Sequence, residues 1–126
     1  MADCDVFVSL HRSEGFGFGA AEALAAGKAV VATDYGGTTD FITETTGYPV
    51  PFQLQPVKKG EYVEPDEQVW ADASLEAAAA ALRSIYDNST EAASRTESGF
   101  NLLKTNHSPE QGGAIMKKLL TQLGLV

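Results

Sequence analysis

The sequence predicts an α/β fold, a Rossmann-like parallel sheet with flanking helices. Three observations carry that expectation. Residues 6–10 and 29–33 are short apolar runs without alternation, as strands buried on both faces require. A glycine-laced turn and an alanine-rich helix lie between them, which is the order of a βαβ unit. After residue 74 the chain reads as successive capped helices.

Taken in order, Val6, Phe7 and Val8 open the first strand, which ends in a polar turn, His11, Arg12, Ser13 and Glu14. The run Gly15-Phe16-Gly17-Phe18-Gly19 leads into a helix over residues 17–26, rich in alanine, the best helix former. Gly27 closes that helix as a C′ residue, and Lys28 suits the negative end of its dipole. Residues 29–33 form the second strand, and Asp34, Tyr35, Gly36, Gly37 and Thr38 turn at its carboxyl end. A short helix is expected over 39–42 and a third strand over 48–50. Residues 51–69, with their prolines and scattered charges, read as an irregular excursion. Trp70, Ala71 and Asp72 bring the chain back to the body, and residues 74–124 form a helical tail. In that tail Ser74 and Ser89 are N-cap candidates, and Ser108-Pro109-Glu110-Gln111 reads as a capping box with proline at N1. Leu75, Ala78, Leu82 and Ile85 share one helical face, Ala92, Thr96, Phe100 and Leu103 a weaker one that Gly99 interrupts. Ile115, Leu119 and Leu123 share a third.

Residues 1–126 are expected to be a single domain. A net charge of -8 argues against wrapping a nucleic-acid backbone, so no nucleic-acid partner is expected. One cysteine, Cys4, makes no internal disulfide and reads as a small core residue of a protein from a reducing compartment. With two histidines beside it, the composition assembles no zinc-type ligand cluster, and no metal or cofactor is expected. No apolar run approaches about 18 residues, and no basic-then-apolar leader opens the chain. The chain starts almost directly on a strand, which reads as a segment cut from something longer.

The chemistry concentrates between the first strand and the first helix. Backbone N–H groups off a helix N-terminus form a ready anion site, and the glycines let the main chain approach phosphate oxygens closely. Glu14 and Glu22 frame that site, with seven residues between them in E-G-F-G-F-G-A-A-E. A carboxylate accepts two hydroxyl hydrogen bonds at once, which suits vicinal diols.

That glutamate pair lies between A-D-C-D-V-F-V-S and E-A-L-A-A-G-K-A-V-V-A-T, and the whole resembles the family-4 retaining glycosyltransferases of the GT-B fold. The resemblance runs from about Ala2 to Ile85 and implies the C-terminal part of the nucleotide-sugar-binding domain. The longer string S-L-H-R-S-E-G-F-G-F-G, with Asp40-Phe41 and Trp70-Ala71, is similar to a bacterial branch that builds polysaccharide. The resemblance implies that Glu14 contacts donor-sugar hydroxyls as the catalytic-site carboxylate and that Glu22 contacts the ribose. It further implies that amides near Gly15, Phe16 and Gly17 face the diphosphate. The substrate would be a nucleoside-diphosphate sugar, with no metal. The glycan acceptor would be held through an N-terminal domain that these residues do not include, so the chain alone is expected to be inactive. A cytoplasmic place is expected, peripheral at the inner face of the membrane. An exposed sheet edge beside residues 6–10 or 29–33 would favour self-association. The chain departs from the family pattern at Leu10-His11, where Pro-Ser is common, and at Asp40, where glutamate is commoner.

The rival reading is an NAD(P)-type dinucleotide-binding domain, since Gly15-Phe16-Gly17-Phe18-Gly19-Ala20 fits G-x-G-x-x-A and Asp34 follows at a strand end. Four polar residues between strand and first glycine, and a carboxylate beside the pyrophosphate, count against it. A noncatalytic α/β module is a third reading. His11 and Arg12 are further site candidates. His11 reads either as a phosphate partner or as a turn residue satisfied by backbone, Arg12 as a partner of Glu14 or of a phosphate. Trp70 reads as packing rather than base stacking, and His107 as a helix C-terminal dipole partner.

Overall fold

The computed structural model describes residues 3–126. Three parallel strands, β1 (Val6–Ser9), β2 (Ala29–Thr33) and β3 (Tyr48–Val50), lie in the order β1-β2-β3. Val6 stands opposite Ala29 and Val31 opposite Tyr48. The helix α1 (Phe18–Ala25) connects β1 to β2, so the expected βαβ unit is present, one residue shorter at the end of β1 and at each end of α1. The helix closes as its glycine suggested: Gly27 N–H donates to Leu24 O at 3.0 Å and Lys28 N–H to Ala23 O at 2.9 Å, the paired bonds of a Schellman motif.

All five residues of β2 are buried, and they divide by strand period. Val30 and Ala32 pack with Ala20, Ala23, Leu24, Phe41, Ile42 and Leu103, on the side covered by α1. Val31 packs with Tyr48, Val50, Ala78 and Ala92, on the side covered by the second helix, α2 (Leu75–Asp87). The third helix, α3 (Ser89–Asn106), contributes Ala92 to one cluster and Leu103 to the other. The last helix, α4 (Pro109–Gln122), buries none of its residues, and Ile115, Leu119 and Leu123 are all exposed. Its apolar face is formed as the spacing predicts but stays exposed, with Ile115 beside Phe16 and Phe18 across a shallow cavity.

The structure corrects several expectations. The stretch expected to be irregular holds β4 (Phe52–Pro56), which pairs antiparallel with β5 (Val69–Ala73), so only residues 57–68 lie between strands. The hairpin is defined by its pairing, Phe52 opposite Ala73 and Leu54 opposite buried Ala71, in a stretch whose prolines and charges read as loop. The short helix comes earlier than expected, as a 3-10 turn over Gly36–Asp40, tightened by Gly37 and Thr38 rather than begun at Thr39. Asn88, not Ser89, caps α3, because its side chain accepts from Glu91 N–H at 3.1 Å. Ser74 and Ser108 cap α2 and α4 as expected. Of the two strands proposed as a sheet edge, only β1 is one; β2 is central, with a neighbour on each side. Two buried hydroxyls, Thr33 Oγ1 and Tyr48 Oη, have no hydrogen-bond partner among the described residues. Burial pushes the Tyr48 phenol up, and the Arg95 guanidinium, 4.6 Å over its ring, partly offsets this.

Candidate functional site

Because β1, β2 and β3 are parallel, their carboxyl ends share one edge, and the loops leaving them converge there. The first loop carries His11, Arg12, Glu14, Gly15, Phe16 and Gly17 into α1. The second is the turn from Asp34 to Asp40. The third runs directly into the hairpin, whose β5 donates Ala71 N–H to Arg12 O at 2.9 Å.

The first two loops touch backbone to backbone. Gly37 N–H donates to Glu14 O at 3.1 Å. A Cβ on Gly36 would lie 2.4 Å from Glu14 O, and one on Gly37 only 1.9 Å from Gly15 O. No side chain fits at either position, so the Gly-Gly pair of the second loop is the seat of the first. Gly17 is equally constrained: it has φ 90, and a Cβ there would meet the Thr38 methyl at 2.4 Å. As N-cap of α1 it offers no side-chain hydrogen bond, which leaves the first N–H groups of the helix without a side-chain acceptor.

Glu14 is exposed, and its Oε1 accepts from Gly15 N–H at 3.0 Å. Glu22 is exposed on α1, five residues beyond Gly17. Neither carboxylate forms an ion pair among the described residues. Phe16 is half-buried and sits in an aromatic cluster, 5.0 Å from Phe18, 5.3 Å from Phe41 and 5.7 Å from His107 between ring centroids. His107 is also the C-cap of α3, the helix end where it was expected.

His11 and Arg12 have their partners elsewhere than Glu14. His11 Nε2 lies 2.8 Å from Tyr35 O and its Nδ1 3.2 Å from Ser9 Oγ. Arg12 lies over the Trp70 ring at 4.5 Å and reaches Asp72 at 4.0 Å, an exposed pair that contributes little by itself. Trp70 is thus packed against a side chain of the first loop. Among the described residues no group of three His, Cys, Asp or Glu could hold a metal ion. No helix among them is long and apolar enough to cross a membrane.

Of the residues that sequence reasoning grouped as a site, Glu14, Gly15, Phe16 and Gly17 lie in the loop between β1 and α1, and Glu22 lies within α1. That reasoning missed the layer beneath: Tyr35, Thr38, Phe41 and His107. The adjacent glycines Gly36 and Gly37 were the available signal for it, since a pair without side chains marks close approach as well as a turn.

No curated protein and no solved structure matches the chain. The model of one family does, over residues 1–101, a span that takes in the three parallel strands, the Glu14 and Glu22 loop and helix, the hairpin and α2. By that match the chain belongs to the family described as glycosyl transferases group 1.

Proposed function

We propose that this edge of the sheet binds the donor, a nucleoside-diphosphate sugar, of a retaining glycosyltransferase. The observation that carries the reading is the uncapped start of α1 directly behind the Glu14 loop, at the carboxyl end of a parallel sheet. In this reading Glu14 accepts hydrogen bonds from donor-sugar hydroxyls and Glu22 from the ribose. The amides of Gly15, Phe16 and Gly17 face the diphosphate, with the Gly15 amide exchanging its bond to Glu14 for one to a phosphate oxygen. The helix dipole and these amides then take up the negative charge that develops on the departing diphosphate. In the same reading the acceptor is a glycan or polysaccharide precursor, met at the cytoplasmic face of a membrane.

Titration of the chain with UDP, GDP, ADP and NAD tests the reading. At least one nucleoside diphosphate is expected to bind, and Glu22→Gln to weaken it by about 1–3 kcal/mol through loss of charge-assisted hydrogen bonds. Binding of NAD alone, abolished by Asp34→Ala, would transfer the site to the dinucleotide reading.

Binding without turnover is expected of these residues alone. The described fold supplies one wall of a cleft, whereas glycosyl transfer needs the acceptor hydroxyl placed at the anomeric carbon with water excluded. The outer edge of β1 has no strand partner among the described residues. Beside it lies an apolar groove of about 830 Å³ whose lining includes Val6, Ala29, Leu82, Ile85 and Phe100. Self-association through that edge is the expected behaviour. Size-exclusion chromatography should show it as concentration-dependent and relieved by Val8→Lys. Donor turnover by a monomer, lost in Glu14→Ala, would refute both statements.

A further inference from the structure

Besides their backbone bond, the first and second loops are joined by one imidazole, and its bonds define its chemistry. Tyr35 O is a carbonyl and only accepts, so His11 Nε2 carries the proton in the 2.8 Å contact. In the neutral ring Nδ1 is then the acceptor, and Ser9 Oγ–H donates to it at 3.2 Å. Ser9 is the last residue of β1, and Tyr35 lies two residues beyond the end of β2. The ring therefore spans the carboxyl ends of two adjacent strands. Thr38 Oγ1, from a residue 1% exposed, completes the knot: it lies 3.4 Å from Nε2 and 3.3 Å from both Thr33 O and Tyr35 O.

What the knot holds is the turn on which Glu14 and Gly15 rest. The residues bonded by His11, Tyr35 and Thr38, flank Gly36 and Gly37. Those glycines take the Glu14 and Gly15 carbonyls with no space to spare, and Gly37 N–H is bonded to Glu14 O. Three residues before Glu14, the loop thus reaches across to the turn and fixes the surface that its own next residues lie on. We infer that His11 is a positioning residue that sets the backbone of Glu14, Gly15 and Phe16 without touching the ligand. Its effect on ligand affinity rests on the donor-binding reading; its effect on the loop does not.

The test separates the two. In the whole chain, amide hydrogen exchange followed by NMR reads the Gly37 N–H group, bonded to Glu14 O, beside those of Leu24 and Val31 in the core. His11→Ala is expected to speed exchange at Gly37 by about tenfold or more, leaving Leu24 and Val31 unchanged, as for a local opening. His11→Gln, which keeps a donor and an acceptor on one side chain, should restore most of the protection. With UDP as probe, His11→Ala should lower affinity in parallel and His11→Gln recover it. Equal acceleration at Leu24 and Val31 would mean that His11 supports the whole fold, and unchanged exchange at Gly37 would mean that it holds nothing; either overturns the inference. A loss of UDP affinity with unaltered loop exchange would make His11 a ligand contact and overturn it too. Failure of the wild-type chain to bind any nucleoside diphosphate would count against the donor reading, while the exchange pattern would still decide the positioning role.

Discussion

Gly37→Ala is expected to lower the stability of the chain by about 3 kcal/mol, the upper range for forcing atoms into a filled space. The new methyl would lie 1.9 Å from Gly15 O and 2.8 Å from the Phe16 Cα, both main-chain atoms that no rotamer change can move aside. Relief requires the two loops to part, which also breaks the bond from Gly37 N–H to Glu14 O. The damage therefore falls on the proposed donor site, and nucleotide affinity should fall beyond what the loss of folded protein explains. Gly112→Ala and Gly113→Ala are the matched controls. Both lie within α4 with nothing near an added Cβ, so each should stabilise by some tenths to about 1 kcal/mol through helix propensity. Urea unfolding gives all three from the shift in midpoint at constant slope. A cost below about 1 kcal/mol for Gly37→Ala would show that the loops are not seated as described.

Phe41→Ala should be at least as costly, about 3–5 kcal/mol, as for other fully buried aromatic side chains. Phe41 is 0% exposed and is the largest of the fully buried side chains. Its ring lies under Phe16 and beside His107, with its tip near the α-carbon of Gly17. Truncation opens a cavity directly below the loop, so Phe16 loses its support and the amides at 15–17 their fixed direction. Tyr86→Ala, at an exposed ring 80% accessible on α2, should change stability by no more than about 0.5 kcal/mol. Unfolding midpoints and UDP titration of the two variants check this; equal effects would remove Phe41 from the account of the site.

Local pattern and long-range contact explain what the sequence disclosed and what it hid. The βαβ unit was legible because two unbroken apolar runs and an alanine-rich helix admit few other arrangements, and Glu14 and Glu22 follow from it. The β4–β5 hairpin was not, because its strands are mostly exposed and carry polar residues such as Gln53, Gln55 and Asp72, which read as loop when no partner is known. Gly99 was taken as a blemish in a helical face. In the structure a Cβ there would lie 2.8 Å from Thr46 O and 2.9 Å from Leu24 Cδ2, so the glycine is what lets α3 lie against α1. His11 is the clearest case of a role fixed at long range, since its partner Tyr35 is 24 residues away. The apolar face of α4 was legible as a face, but periodicity alone does not say whether a face finds a neighbour.

The bare N-terminus of α1 has a thermodynamic side. The other three helices start with a side chain bonded to a backbone N–H, from Ser74, Asn88 and Ser108, a feature worth about 1 kcal/mol each. At α1 the cap is Gly17, which forgoes the side-chain bond and a few tenths of a kcal/mol of that contribution, and mutation cannot add the bond at a position where a serine or aspartate would need both φ 90 and room that the Thr38 methyl already fills. An anion seated there would do the work of the absent cap. Occupancy and folding would then be linked quantities, with about 2.7 kcal/mol added at a ligand concentration a hundred times Kd. The first turn of this helix would then be firmer with an anion than with water as its partner.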